Sequence, residues 1–251
     1  MKLGIISFNI RCCNDRNGHS IEERAPRLET ATTSFDADII GLQEMRPAWE
    51  THLDRIYSDK YDIYYKYRAE NELETSPILW RKDKYECISK GFFWLSDTPE
   101  KESKGWDEKY DCYRMCLYVN LREKETGKML TFMNTHFGFG DNCQTKSAQL
   151  IYDYSKQISD YPTIIVGDFN MTPKTAGYAA MTKNFVDVNA ATVKDMRSTY
   201  HGYKPEGIVD MHIDYCFIND KVTPVNRRLI DASFDGKFPS DHYGLYMEVE
   251  I

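Results

Sequence analysis

Several absences in this 251-residue chain narrow its class before any motif is read. No stretch approaches the run of roughly 18 apolar residues that a membrane-spanning helix needs, so a transmembrane protein is excluded at the level of helices. No tract is rich in Pro, Gly or Ser, and there is neither a low-complexity segment nor a repeat of fixed period. One domain spanning residues 1–251 is therefore expected. Positive charge is not in excess: 32 Lys and Arg stand against 39 Asp and Glu, for a net charge of −7. That balance disfavours a long polyanion as natural partner, because nonspecific duplex binding rests on many Lys and Arg contacts to phosphate. Seven cysteines, an odd number without CxxC spacing, argue against a disulfide framework and read as free thiols in a reducing compartment. The opening LGIISFNI reads as a strand and not as a leader, so a cytoplasmic monomer is expected, with a removed secretion signal as the alternative.

What is present is a succession of short apolar segments. The 41% hydrophobic and 28% charged fractions suit a folded α/β unit with a sizeable core. Strand candidates run from end to end: LGIISFNI, ADIIGLQE, PILWRK, FFWLS, MCLYVNL, MLTFMNTH, TIIVGDFN, HIDYCFI and HYGLYMEV. Helical patterns are fewer. Ser147, Leu150, Ile151, Tyr154 and Ile158 fall on one stripe and predict an amphipathic helix between Cys143 and Ser159. A second helix is expected within 20–35, opened by a capping box of Ser20 and Glu23, with Pro26 leaving its start open. Thr126, Gly127 and Lys128 read as a hairpin turn.

Polar groups recur where these apolar runs stop: Asn9, Glu44, Asn134 with His136, Asp168 with Asn170, His212 with Asp214, and Asp241 with His242. Alternation would set Asp168 and Asn170 on one side of an extended GDFN, and would separate Asp214 from Ile213, Tyr215 and Phe217. Any one of these endings is explained by a turn or a helix cap, such as a helix starting at Pro173. Six in one chain favour a shared purpose.

In order and separation, FNIR, IIGLQE, NTHF, VGDFN, HIDYCFI and FPSDHYGL resemble the signature of the endonuclease/exonuclease/phosphatase superfamily, whose fold is that of pancreatic deoxyribonuclease. The match runs from Asn9 to His242. GFFWLSDTPE, SKGWDE with Arg114 downstream, and STYHGY resemble a bacterial branch whose substrates are generally unassigned. The resemblance implies an α/β four-layer sandwich, two packed mixed β-sheets flanked by helices, with the site in a cleft at one edge. It implies a metal-dependent phosphohydrolase that cleaves a phosphodiester or phosphomonoester with activated water. Glu44 and Asp241 become metal ligands, and Asn9 positions Glu44 or the ion. His242, backed by Asp214, donates to phosphate; Asp168 activates or orients the water as a base or as ligand of a second metal. Asn170 and His136 donate to phosphate oxygens.

Mg²⁺ suits such a site because it is a hard ion needing only one or two protein carboxylates; Mn²⁺ is a possible substitute, and the absence of HExxH disfavours zinc. Arg11 and Arg114 are expected to add positive charge at the substrate. His201, Trp94 and Trp106 are candidates for the pocket wall, and Glu74 resembles a branch position near the cleft. His212 is expected to be a neighbour without catalytic part, and Ser240 to shape a turn.

A small soluble phosphoester, nucleotide-like or sugar phosphate, is the expected substrate. Nuclease action on DNA or RNA, and lipid phosphodiesterase or inositol phosphate phosphatase action, are alternatives within the superfamily. A serine hydrolase is disfavoured: GxSxG is absent, and the consecutive Ser240, Asp241 and His242 diverge too far to form a relay. A catalytically dead binding module would have no need to keep both a metal-ligating pair and a polarised imidazole.

Overall fold

Strands that are apolar on both faces need cover on both faces, and the chain supplies it in four layers. The computed structural model describes all 251 residues. In chain order the elements are β1 (Lys2–Asn9), α1 (Ile21–Thr33), β2 (Ile39–Gln43), α2 (Pro47–Tyr57), β3 (Tyr61–Tyr64), β4 (Ile78–Arg81), β5 (Tyr85–Trp94) and β6 (Met115–Glu123). There follow β7 (Met129–His136), α3 (Asp141–Ile158), β8 (Thr163–Asp168), α4 (Ala176–Thr182), β9 (Val186–Asp187), α5 (Val188–Ala191), β10 (Asp214–Ile218), β11 (Thr223–Ile230) and β12 (Gly244–Glu250). One six-stranded sheet has the order β11-β12-β1-β2-β4-β3, and the other β5-β6-β7-β8-β10-β9. Each is mixed. β1 runs parallel to β2 and antiparallel to β12, while β7 runs parallel to β8 and β8 antiparallel to β10.

Leu3, Ile5 and Met247 of the first sheet meet Val119, Phe132 and Val166 of the second in the inter-sheet core. On the far face of the first sheet, Ile6, Phe8 and Leu42 pack on Leu28 of α1 and on Trp49 and Leu53 of α2. On the far face of the second, Met133, Ile165 and Phe217 pack on Ile151 of α3 and Met181 of α4. The expected sandwich is therefore the observed one. At the site end the sheets approach closely: a Cβ on Gly41 would sit 2.5 Å from Val166 Cγ2. There the Asn134 amide donates to the Leu42 carbonyl at 2.7 Å and accepts from Gln43 Nε2 at 2.8 Å, tying β7 to β2.

Most local expectations hold. α1 starts before Pro26, with both capping-box bonds of Ser20 and Glu23 formed, and Pro26 lies on its exposed side. α3 begins two residues ahead of the expected Cys143, and its Ser147 and Ile151 are buried. The β6–β7 hairpin turns through Gly127 at φ 74°. All seven cysteines are free. No helix is long and apolar enough to cross a membrane.

Candidate active site

The C-terminal ends of β1, β2, β7 and β8 and the starts of β10 and β12 gather at one edge of the sandwich. Asn9 joins the two sheets there. Its Nδ2 donates to Glu44 Oε1 and to Asp168 Oδ2, both at 3.0 Å, while its Oδ1 accepts the Arg11 amide at 3.0 Å. Its oxygen is thus turned to the backbone and its amide nitrogen to Glu44 and Asp168. Glu44 Oε2 also accepts the Cys12 amide at 2.9 Å. Arg11, Glu44 and Asn170 each follow a strand end with positive φ, 61°, 64° and 50°. For residues with a Cβ that conformation costs about 1–2 kcal/mol. It turns each side chain sharply into the cleft, the kind of local strain that functional sites retain.

Asp168 lies at the centre. Its Oδ2 is 3.7 Å from His242 Nε2 and 3.6 Å from His136 Nε2, and its Oδ1 accepts the Asn170 amide at 2.9 Å. His242 Nδ1 donates to Asp214 Oδ2 at 2.9 Å, which fixes the tautomer. Burial alone would lower the His242 pKa, but the Asp214 carboxylate, joined by the charges of Asp168 and Asp241, outweighs it and pushes the value up to about 10. Thr199 Oγ1, fully buried, holds the start of β10 by accepting the Ile213 and Asp214 amides at 3.0 and 3.1 Å. His136 has different company: Nδ1 is 3.3 Å from Arg68 Nη2 and 3.4 Å from Glu74 Oε1, and Nε2 is 3.0 Å from Asn170 Nδ2. Glu74 is paired to Arg68 at 2.6 Å and to Arg46 at 3.7 Å.

The donor set suits a hard divalent cation. Ligand atoms of Glu44, His136 and Asp168 lie within 4.8 Å of one another, as do those of Asp168, Asp214 and His242. Asp241 is in neither group; it lines the same cleft, with Oδ2 3.7 Å from Arg11 Nε. Burial, reinforced by the charge of Glu44, raises the pKa of Asp241, and burial with the charge of Asp214 raises that of Asp168. For both groups burial and the neighbouring carboxylate outweigh the histidines that face them, and oxygen donors of this kind are the ones hard divalent cations take.

Glu44, Asp168, Asn170, His136, Asp241, His242, Arg11 and Arg114 all line one cleft of about 690 Å³. Asp214 stands immediately behind His242. The two expected arginines are already matched: Arg11 pairs with Asp15 at 3.0 Å, and the buried Arg114 with Asp107 at 3.1 Å. Asp107 in turn accepts the Lys109 and Tyr110 amides, so Arg114 also shapes the cleft loop. His201 does not line the cleft. Its ring is 1% exposed and packed 4.6 Å from Phe238 and 4.3 Å from Tyr243, and burial pushes its pKa down to about 4. Its amide donates to the Asp241 carbonyl at 2.9 Å, a support from behind. Trp94 and Trp106 are also outside the wall: Trp94 is buried with Nε1 donating to the Arg68 carbonyl, and Trp106 lies under Lys146. Tyr110, Phe139 and Tyr200 take their place. His212 donates to the Arg197 carbonyl, and Ser240 bonds Asp241 and the His242 amide, both as expected.

Two buried arginines next to the site were not foreseen. Arg68 sits in an aperiodic segment that carries no sequence signal. Arg24 had one, a charge three residues after Ile21 on the apolar stripe of α1. Its guanidinium has no carboxylate partner; it donates to the carbonyls of His19 at 2.9 Å, Arg11 at 3.1 Å and Cys13 at 2.6 Å, and reaches those of Ile10 and Pro239. It clasps the loop after β1 to the turn before Asp241.

This edge-of-sandwich cluster of carboxylates and carboxylate-backed histidines defines a phosphoester hydrolase of the deoxyribonuclease-I-like fold. The profile of the Endonuclease/Exonuclease/phosphatase family matches residues 6–242, and the chain belongs to that family. It is similar to a solved family member from Bacteroides vulgatus, at 26% identity and TM-score 0.91, covering 100% of this chain and 99% of that one. It is also similar to a mannosyl-6-phosphatase of Bacteroides thetaiotaomicron, at 25% identity and TM-score 0.89 over 99% of this chain and 100% of the other. An uncharacterised protein of Acanthamoeba polyphaga mimivirus is 28% identical over 178 residues, 66% of each chain.

Proposed function

We propose that the protein is a divalent-metal-dependent hydrolase of a small soluble phosphoester, a sugar phosphate before others, acting as a monomer. One observation carries the reading: side chains from both sheets, distant in sequence, line a single cleft around Asp168. Glu44 and Asp241 would hold Mg²⁺ or Mn²⁺, with Asp168 and His136 in reach of the same ion. The bound ion would neutralise the nonbridging phosphate oxygens and polarise phosphorus.

The chain's own groups divide the remaining work. His242, charged through Asp214, donates a hydrogen bond to a phosphate oxygen from Nε2. Asp168 orients the attacking water and accepts its proton. Asn170 is a donor to oxygens that gain charge in the transition state, oriented by His136, whose Nε2 accepts from the Asn170 amide at 3.0 Å. The water oxygen bonds to phosphorus, and the ester oxygen departs with a proton from an imidazolium.

The substrate argument rests on shape and charge. A cleft of about 690 Å³ lies within the roughly 300–1,000 Å³ that encloses a small molecule. Tyr110 and Phe139 offer ring faces beside Lys109, while Glu72 offers an acceptor and Arg114 donors, a mixture that suits a polyol. The net charge of −7 weighs against a duplex. The similarity to a mannosyl-6-phosphatase points the same way. The test is a phosphoester panel, hexose 6-phosphates, bis-p-nitrophenyl phosphate, oligonucleotides and supercoiled DNA, assayed with Mg²⁺, with Mn²⁺ and with chelator for wild type and His242→Ala. Metal-dependent release from a sugar phosphate, lost in the variant, is the expected result. Nicking of supercoiled DNA alone, or background rates throughout, would sink the reading.

A further inference from the structure

Two adjacent thiols stand on the cleft wall, and no step above uses them. Cys12 and Cys13 follow Arg11 on the loop after β1, and their Sγ atoms are 3.2 Å apart. Cys13 is exposed and Cys12 half-buried. Their backbone is part of the metal-side architecture. The Cys12 amide donates to Glu44 Oε2 at 2.9 Å, and the Cys13 carbonyl accepts from Arg24 at 2.6 Å.

We propose that Cys12 and Cys13 form a reversible oxidation site, a disulfide between neighbours whose closure displaces the amide holding Glu44 and weakens metal binding. This inference rests on the metal-dependent reading of the cleft. The exposed Cys13 attacks a thiol oxidant such as glutathione disulfide and releases one glutathione thiol; Cys12 then attacks the mixed disulfide and releases the second. Two S–H bonds break, one S–S bond forms, and two electrons and two protons leave with the glutathione.

The geometry connects this bond to the site. The Sγ atoms must close from 3.2 Å to about 2.05 Å. Neighbouring Cα atoms are only about 3.8 Å apart, below the roughly 4.4 Å at which ordinary disulfides begin. The ring therefore deforms the intervening peptide, in the loop that presents its amide to Glu44 and its carbonyls to Arg24. Strained and exposed disulfides are the easily reduced ones, so a reductant reverses the change. The remaining thiols are poorly placed for the same role: Cys116, Cys143 and Cys216 are buried, Cys87 lies on β5, and Cys112 faces Asp107 at 3.6 Å.

The test treats metal-replete protein with glutathione disulfide and reads three quantities: linkage in the peptide carrying Cys12 and Cys13, Mn²⁺ affinity by titration calorimetry, and phosphoester turnover. The peptide is expected to lose two hydrogen atoms, and Mn²⁺ affinity and turnover to fall about tenfold or more, as when a partner of a metal ligand is lost. Dithiothreitol restores both. Cys13→Ser keeps its turnover and ignores the oxidant. Free thiols in the treated peptide, a linked peptide with unchanged Mn²⁺ affinity, or an equal loss in Cys13→Ser would each overturn the proposal. A reduced protein that neither binds Mn²⁺ nor turns over any phosphoester sinks the hydrolase reading itself, visibly before oxidant is added, and the inference falls with it.

Discussion

His242 and His136 approach the same carboxylate, Asp168, at 3.7 and 3.6 Å, yet the groups behind them differ. Behind His242 stands Asp214 alone at 2.9 Å, on a strand start fixed by Thr199. Behind His136 stand Glu74 and Arg68 together, and Glu74 is itself claimed by Arg68 and Arg46. Burial opposes ionisation of Glu74, but Arg68 and His136 outweigh it and hold its pKa well below the usual carboxylate range. One imidazole is thus served by a dedicated carboxylate, the other by a shared one. The dedicated arrangement keeps a proton on His242.

The largest effect should come from the dedicated side. His242→Ala is expected to lower kcat about 10³-fold, as for a lost general acid or donor. Asp214→Asn, which keeps the shape and removes the charge, should cost about 10²-fold in kcat with KM little changed. On the shared side, Glu74→Gln should cost only about tenfold in kcat/KM, because Asn170 still meets His136. Equal losses in Asp214→Asn and Glu74→Gln, measured under one set of conditions, would erase the contrast between the two histidines.

A pH series on chelator-treated protein sharpens the same contrast. The His242 pKa rises from 6.5 to about 10 on folding, so the folded protein keeps a proton that the unfolded chain releases. Stability from this pair is complete below pH 6.5 and is lost as pH climbs through about 10. Calorimetric Tm values should decline across that window in wild type and be flatter in Asp214→Asn. The smallest effect belongs to the cleft loop: Tyr110→Ala should raise KM for a hexose phosphate about threefold, the scale of an exposed aromatic contact, and leave p-nitrophenyl phosphate turnover unchanged.

The dedicated side was legible in the sequence and the shared side only in part. Asp214 and His242 stand at the starts of the apolar runs of β10 and β12, and position alone marks them. Arg68 lies between β3 and β4 without periodicity, and acquires meaning only once Glu74 and His136 are beside it. The fold divides similarly. All nine expected strands formed, because most of them are buried on both faces and so read as unbroken apolar words, while β12 alternates and β5 is apolar at its buried end. β3, β9 and β11 escaped: β3 and β9 are only four and two residues long, β11 carries Asn226, Arg227 and Arg228, and all three strands lie at a sheet edge. α2 could have been read: Pro47 occupies its first turn, and Trp49, Leu53 and Tyr57 recur every fourth residue. His201 misled because a histidine beside a cleft motif carries the same letters whether it faces solvent or packs between Phe238 and Tyr243.

Arg24 donates to carbonyl dipoles and to no acid, and its guanidinium lies 5.1 Å over the Trp49 ring, so no carboxylate in contact cancels its charge. Asp241 and Asp15 feel that charge from beneath the cleft floor. A lysine could not replace it, because one ammonium with three donors cannot span carbonyls spread over so many segments. Helix α1 thereby delivers an electrical bias to the Asp241 side of the cleft while standing outside the chemistry.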